Sequence, residues 1–275
     1  MTGRDLDGRL CLVTGAGQGL GKSIAECLAA AGAVVVVTDI MEETARETAA
    51  QISANGHRAE AYKLDVTSSA DVDALFERVE QELGPLHLVV NNAGLSRIGD
   101  HTHNVTDQNW HDSIAVMQHG VFYGMRAAGR HMLPRGSGVV INMSSIRAFA
   151  AKLGTIEYSA PKAALVAMTQ VAAAEWGPYG VRVVAIAPGP LATEMTLRDA
   201  ARGAMDEQQY LSTIPAKRWG LPEEVGNLVV FLASDGAPYI SGSLITIDGA
   251  LTAMGPDAQF SAPWPTAGPT INKAN

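Results

Sequence analysis

Two apolar runs, Leu10-Cys-Leu-Val13 and Ala33-Val-Val-Val-Val-Thr38, flank the segment Thr14-Gly-Ala-Gly-Gln-Gly-Leu-Gly21 and a helical pattern from Lys22 to Ala31. Strand, glycine-rich turn, helix and second strand confine the chain to a parallel α/β unit, because parallel strands need a crossover between them. Gly15, Gly17, Gly19 and Gly21, interleaved with Gln18 and Leu20, let the backbone turn tightly and come close to a pyrophosphate. The start of the following helix adds free N–H groups and a positive dipole end. Asp39 follows the second strand directly, and Ile40 and Met41 come next. An acid at that place hydrogen-bonds the ribose hydroxyls of an adenosine and repels a 2′-phosphate. No arginine stands beside it to hold such a phosphate, so the expected cofactor is NAD and not NADP. The plainer alternatives for Asp39 are a solvated acid at the strand end or a cap on the helix that opens at Glu42.

The alternation continues along the chain. Strand patterns lie near 10–14, 33–38, 59–64, 86–90, 138–143, 181–187 and 243–248, and helical patterns near 42–54, 69–83, 107–132, 158–177 and 222–234. Seven strands that alternate with helices predict a doubly wound parallel sheet with helices on both faces, its ligands at the carboxyl ends of the strands. The length of 275 residues suits one such domain, and 47% hydrophobic residues exclude a disordered chain. Residues 1–250 are expected to form that domain and 251–275 a proline-rich extension, since Pro256, Pro263, Pro265 and Pro269 forbid a regular helix there. The extension is either a free end or a strap that anchors Phe260 and Trp264 on a neighbouring subunit near the substrate pocket.

A formal charge of −8 argues against a nucleic-acid partner. No apolar run is long enough to span a bilayer, and the N-terminus has no apolar signal core. Cys11 and Cys27 read as small buried thiols. The expectation is a soluble, cytoplasmic protein in a reducing compartment, with no membrane partner. His101, His103 and Asp100 lack a further matching ligand, so no metal is expected.

Tyr158-Ser-Ala-Pro-Lys162 stands 13 residues after Ser145. On a helix, positions i and i+4 share a face. The Lys162 ammonium is then expected to favour the ionised form of the Tyr158 phenol, whose ordinary pKa near 10 is too high for acid–base work at neutral pH. Together with the glycine loop, Asp65-Val66, Asn91-Asn92-Ala93-Gly94, Pro188-Gly189 and Thr193, these residues stand in the order and spacing of a known family. The chain from about residue 8 to 250 resembles the short-chain dehydrogenase/reductase family.

The resemblance implies a single-domain Rossmann-type fold and NAD(H)-dependent interconversion of a secondary alcohol and a ketone by hydride transfer. It implies Ser145, Tyr158 and Lys162 as the catalytic set, with Ser144 the adjacent alternative to Ser145. Tyr158 would exchange the proton, Ser145 would hold the substrate oxygen, and Lys162 would also hold the nicotinamide ribose. Cofactor contacts are implied for Gly15, Gln18, Gly19, Leu20, Gly21, Asp39, Ile40, Asp65, Val66, Asn92, Ala93, Gly94, Tyr158, Lys162, Pro188, Gly189, Leu191 and Thr193. A homotetramer, a dimer of dimers, is implied as well. The helices around Ile114–Met125 and Ala163–Ala174 agree with it, being apolar almost all round where a sheet-covering helix needs only one stripe.

Three positions depart from the family pattern. Met117 stands where an asparagine holds a water in a proton relay, with Gln118 or His119 as substitutes if the helix is locally shifted. Pro161 should bend or start its helix nearby. Val184 replaces an asparagine. These departures keep a second class open, an NAD-binding scaffold or sensor with weak catalysis. The substrate pocket is expected from 94–103, 146–156 and 190–215. Leu95, Ile146, Phe149, Leu153, Leu191 and Met195 would make it apolar to moderately polar, with His101, His103 and Glu157 among them.

Overall fold

The strands are β1 (Leu10–Thr14), β2 (Val34–Asp39), β3 (Arg58–Lys63), β4 (Leu86–Asn91), β5 (Gly138–Met143), β6 (Val181–Pro188) and β7 (Leu244–Ile247). They form one sheet in the order β3-β2-β1-β4-β5-β6-β7. Every pairing is parallel. The structure, a computed structural model, describes residues 6–95, 100–201 and 207–253, without the side chains of 195 and 199–201. The extension expected over 251–275 lies outside the described residues from 254 onward, Phe260 and Trp264 included.

Strand residues alternate between two cores, as a pleated sheet requires. On one face Val13, Val35, Val90 and Ile141 meet α1 (Gly19–Ala30), α2 (Glu42–Ala54) and α9 (Pro222–Ala233) through Ile24, Leu28, Ile52, Val225 and Val229. On the other, Leu12, Val36, Val89, Val140 and Val183 meet α3 (Ser69–Glu82), α5 (Gly120–Arg135) and α6 (Ile156–Trp176) through Phe76, Met125, Leu165 and Ala172. Fully burying a side chain such as Phe76 or Leu28 contributes about 2 kcal/mol. The two-sided burial explains the near-continuous valine runs in the sequence. Strand β3 differs, because it is an edge: it carries the charged Arg58, Glu60 and Lys63, and such charges discourage further pairing.

Polar side chains tie the middle of the sheet together. Asn91 on β4 donates to Asn142 on β5 at 2.9 Å, and Asn142 donates to Thr169 on α6 at 2.9 Å. All three are buried, so each bond also avoids the 1–3 kcal/mol that an unmade one would cost. Gly124 of α5 lies against this chain. A Cβ there would sit 2.2 Å from Asn91 Oδ1.

Several elements differ from the sequence reading. The helix expected over 107–132 is two α-helices, α4 (Asp107–Ile114) and α5, joined by one π-helical turn, Ala115–His119. The helix expected from 158 begins at Ile156 and runs through Pro161, forgoing one backbone bond in its second turn rather than starting there. Two short helices, α7 (Glu194–Ala201) and α8 (Glu207–Ser212), stand where only loop was expected. No helix of the described residues is long and apolar enough to cross a membrane.

Candidate active site

The strand order reverses between β1 and β4, and a cleft of about 680 Å³ opens at the carboxyl ends of the strands there. The β1–α1 turn forms its floor. Gly15 has φ of +62°, and a Cβ on it would lie 2.8 Å from the Ala93 Cα, so the turn fits only without a side chain. Gly21 is equally constrained, with a Cβ due 2.1 Å from the Gly15 carbonyl oxygen. The turn is braced from β4. Asn92 Nδ2 donates to the carbonyls of Thr14 and Gly15 at 2.9 and 3.1 Å, and Thr14 Oγ1 accepts from the N–H groups of Asn92 and Ala93, both at 3.0 Å. Helix α1 then starts at Gly19, three residues before the expected pattern, and its N-terminus faces the cleft floor.

Asp39 stands at the end of β2. Its carboxylate accepts from the N–H of Gly17 at 3.0 Å and from that of Met41 at 3.1 Å, which ties the strand end to the glycine turn. It is therefore not the side-chain cap of α2, whose N-cap residue is Met41. Asp65 accepts from the Thr67 N–H and hydroxyl at 2.9 and 2.7 Å. Gly120, at the start of α5, packs against the neighbouring Val66, where a Cβ would come within 3.0 Å. On the far side, Gly189 takes the Ile247 carbonyl at 2.9 Å and lies so close to Asp248 that a Cβ would be 2.6 Å from that side chain.

Of the residues expected around the cofactor, Gly15, Gln18, Leu20, Gly21, Asp39, Ile40, Asp65, Val66, Asn92, Ala93, Gly94, Pro188, Gly189, Leu191 and Thr193 line this one cleft. Gly19 does not. It supplies the turn with φ of +57° and has open space around it.

Ser145, Tyr158 and Lys162 line the same cleft from its β5–α6 side. The two serines after β5 have different partners. Ser144 Oγ donates to the Lys162 carbonyl at 2.8 Å and is buried. Ser145 hydrogen-bonds Tyr158, and its Oγ accepts from the Arg147 N–H at 3.2 Å. Lys162 is buried, with its ammonium 5.7 Å from the Tyr158 ring centroid and 2.6 Å from the Met143 carbonyl, to which it donates. Burial lowers its pKa to about 8.

The electrostatics of Tyr158 differ from the sequence reading. Burial raises its pKa above the usual tyrosine value, and the two influences that oppose this are the Ser145 hydrogen bond and the charge of Arg147. Lys162 is not among them. Its ammonium lies beside the ring and is turned toward the Met143 carbonyl.

At the relay position, Met117 is the buried member of the π turn, and its thioether lies 3.8 Å from where a Gly94 Cβ would be. Gln118 is half-buried and His119 exposed. Of the three, the inward side chain is thus the methionine. Val184 is fully buried in β6.

The expected substrate wall needs correction. Leu95, Ile146 and Leu191 line the cleft, but Phe149, Leu153, His101 and His103 do not, and Phe149 and Leu153 are exposed. Glu157 is buried away from it, on the side of α6 facing the protein. The side chain of Met195 lies outside the described residues. Arg147, Lys152, Thr196 and Tyr210 line the cleft from within the expected segments without having been singled out, and Val116 lines it from outside them. Two of these carried a signal, namely two cations within seven residues of Ser145 in a segment that otherwise reads as apolar.

Residues 15–252 match the model of a family described as enoyl-(acyl carrier protein) reductase. A D-threitol dehydrogenase of Mycolicibacterium smegmatis is 36% identical over 249 residues, covering 90% of this chain and 94% of that protein. A gluconate 5-dehydrogenase of Gluconobacter oxydans is 34% identical over 250 residues, covering 90% and 96%. The crystal structure of a gluconate 5-dehydrogenase from Burkholderia cenocepacia, in complex with NADP and tartrate, superposes with a TM-score of 0.86 at 33% identity, covering 92% of this chain and 99% of that one. Matches that span nine-tenths of the chain, on a seven-stranded parallel sheet of the same topology class, make this protein an oxidoreductase of the short-chain dehydrogenase/reductase family.

Proposed function

We propose that the protein interconverts a secondary hydroxyl and a ketone on a small polyhydroxylated substrate, with NAD as the partner in hydride transfer. One observation carries this reading: Ser145, Tyr158 and Lys162 stand on one wall of the cleft whose floor is the glycine turn. The named activities of the relatives on threitol and gluconate support the substrate class.

The residues present fit the cofactor. Gly15 and Gly21 keep the floor free of side chains, α1 offers its N-terminus there, and Asp39 stands where the ribose hydroxyls would lie. When bound, the nicotinamide supplies or accepts the hydride. The chain's own residues handle the proton and the geometry. In the oxidative direction Tyr158, as the phenolate that Ser145 and the charge of Arg147 favour against burial, would take the proton of the substrate hydroxyl, and Ser145 would donate to the same substrate oxygen and fix its angle. Lys162 is held in place by the Met143 carbonyl and would hold the nicotinamide ribose. Ketone reduction reverses each proton movement.

The preference for NAD rests on Asp39 at the end of β2 and on the absence of an arginine from that end of the described cleft wall. A homotetramer built on α5 and α6 belongs to the same reading, since Phe122 and Val171 leave these helices with exposed apolar side chains.

The test is a panel of polyols and their ketones incubated with NAD or NADP, followed by the absorbance of the reduced nicotinamide. Turnover is expected, with NAD favoured by roughly tenfold or more in kcat/KM, because a like-charge contact costs on the order of a kilocalorie per mole or more. Equal use of NADP would remove the role given to Asp39. No reaction with any member of the panel, despite tight NAD binding, would leave a binding protein.

A further inference from the structure

The charges in the cleft are segregated. Its acids, Asp39 and Asp65, stand at the ends of β2 and β3. Its cations, Arg147, Lys152 and Lys162, stand at the β5–α6 end. Strand β5 is three places from β2 in the sheet, about 14 Å at the usual strand spacing. That exceeds the screening length of physiological salt, so Asp39 and Asp65 do not neutralise the basic end.

Lys162 is buried and committed to the Met143 carbonyl. Arg147 and Lys152 are not committed in that way. Arg147 is half-buried, two residues from Ser145, and one arm of its guanidinium donates to the Ala150 carbonyl at 3.1 Å. Lys152 is exposed, with its ammonium 5.5 Å from the centroid of the Tyr210 ring. Among the described residues, neither forms an ion pair with a carboxylate. Lys152 feels its neighbour: burial and, after it, the charge of Arg147 depress its pKa, and the same charge lowers that of Tyr158. Two like charges held in one cleft wall without a counter-ion favour an anion between them.

The cofactor's own phosphates do not meet this need. The glycine turn and the α1 N-terminus, where a pyrophosphate would sit, belong to β1. An adenosine 2′-phosphate would lie farther off still, at β2. The anion must therefore come with the substrate.

We propose that Arg147 and Lys152 form a carboxylate subsite beside Ser145 and Tyr158, so that the substrate is a small polyhydroxy acid and not a neutral polyol. This rests on the oxidoreductase reading above. It separates the two kinds of relative, one named for the neutral D-threitol and the other for gluconate. Lys152 supplies attraction from the rim, packed on Tyr210 of α8. Arg147 supplies a planar fork suited to a carboxylate. Thr196, which lines the same cleft, offers a hydroxyl partner to the rest of a polyhydroxylated chain.

D-gluconate and D-threitol serve as paired probes in steady-state kinetics with wild type, Lys152→Met, Lys152→Arg and Arg147→Met. Wild type should prefer gluconate by about tenfold or more in kcat/KM, the usual effect of a charge-assisted hydrogen bond. Lys152→Met should raise the KM for gluconate by about tenfold, with kcat changed far less, and Arg147→Met should raise it as much while also lowering kcat for both probes alike, since its charge bears on Tyr158; either variant collapses the preference for the acid. Lys152→Arg should keep most of it. A wild type that uses D-threitol at least as well as gluconate overturns the proposal. So does a fall in kcat of equal size for both probes in Lys152→Met, with the KM for gluconate unchanged, which would assign that cation to the proton step instead. If neither probe reduces the nicotinamide, calorimetry with tartrate on the NADH-bound protein decides independently of turnover. Salt-sensitive tartrate binding that is lost in Lys152→Met supports the subsite even as the hydride-transfer reading falls, and absence of tartrate binding overturns the subsite.

Discussion

Lys162 carries its charge in a buried position, and the hydrogen bond that its ammonium donates to the Met143 carbonyl does not fully offset the lost hydration. Its pKa is about 8 in the fold against an ordinary 10.5. The sign of the linkage follows. Below pH 8 the lysine is protonated in the folded and the unfolded chain alike, and the full cost of the buried charge, roughly 3 kcal/mol, falls on the fold. Between 8 and 10.5 the folded lysine loses its proton first, so the cost fades as pH rises. Lys162→Met removes the charge and keeps the stem. Equilibrium unfolding of both proteins should show wild type gaining on the variant by up to about 3 kcal/mol between neutral pH and pH 10.5. A constant difference across that window would mean that the lysine is not desolvated. Residue identities at this site were legible because Tyr158, Lys162 and Asp39 lie at fixed places relative to predicted elements. Their electrostatics were not. Spacing along a helix put Lys162 beside Tyr158 but could not reveal that burial outweighs it, or that Arg147 is the charge the phenol feels.

Elements were most legible where a repeat of apolar positions met a clear stop. Helix α2 runs over 42–54 as its pattern predicts, and β5 over 138–143. The π turn between α4 and α5 was not legible, since one extra residue in a turn leaves almost no trace in a periodic pattern. Its consequence is specific, because it settles which side chain of 117–119 turns inward, and that side chain is Met117. Helices α7 and α8 were missed because each is short and only partly apolar, and Tyr210 takes its place in the cleft through stacking on Trp219, a contact distant in sequence. The seating of α5 on β4 depends on the smallest residue at 124. Gly124→Ala should force its methyl into Asn91 Oδ1 and strain the Asn91–Asn142–Thr169 chain, with a loss of about 1–3 kcal/mol in denaturant unfolding. Unchanged stability would show that the helix shifts freely over the sheet.

For the whole molecule, strand order turns scattered motifs into one site. The glycine turn after β1, Asp39 after β2, Asn92 after β4, Ser145 after β5 and Gly189 after β6 all lie at carboxyl strand ends. A parallel sheet gathers such ends on one rim, so sequence alternation alone was enough to anticipate both the fold and the place of the cleft. The polar character of the substrate end was out of reach, because it depends on which side chains of the 146–156 loop turn inward: Arg147 and Lys152 do, while Phe149 and Leu153 do not. The central claim is that Tyr158 moves the substrate proton in this cleft. Its most direct test is Tyr158→Phe, compared with wild type in turnover and in NAD affinity by calorimetry. Turnover should fall by about 10² or more, with NAD bound almost as tightly as before. A phenylalanine variant with near wild-type turnover would contradict that claim.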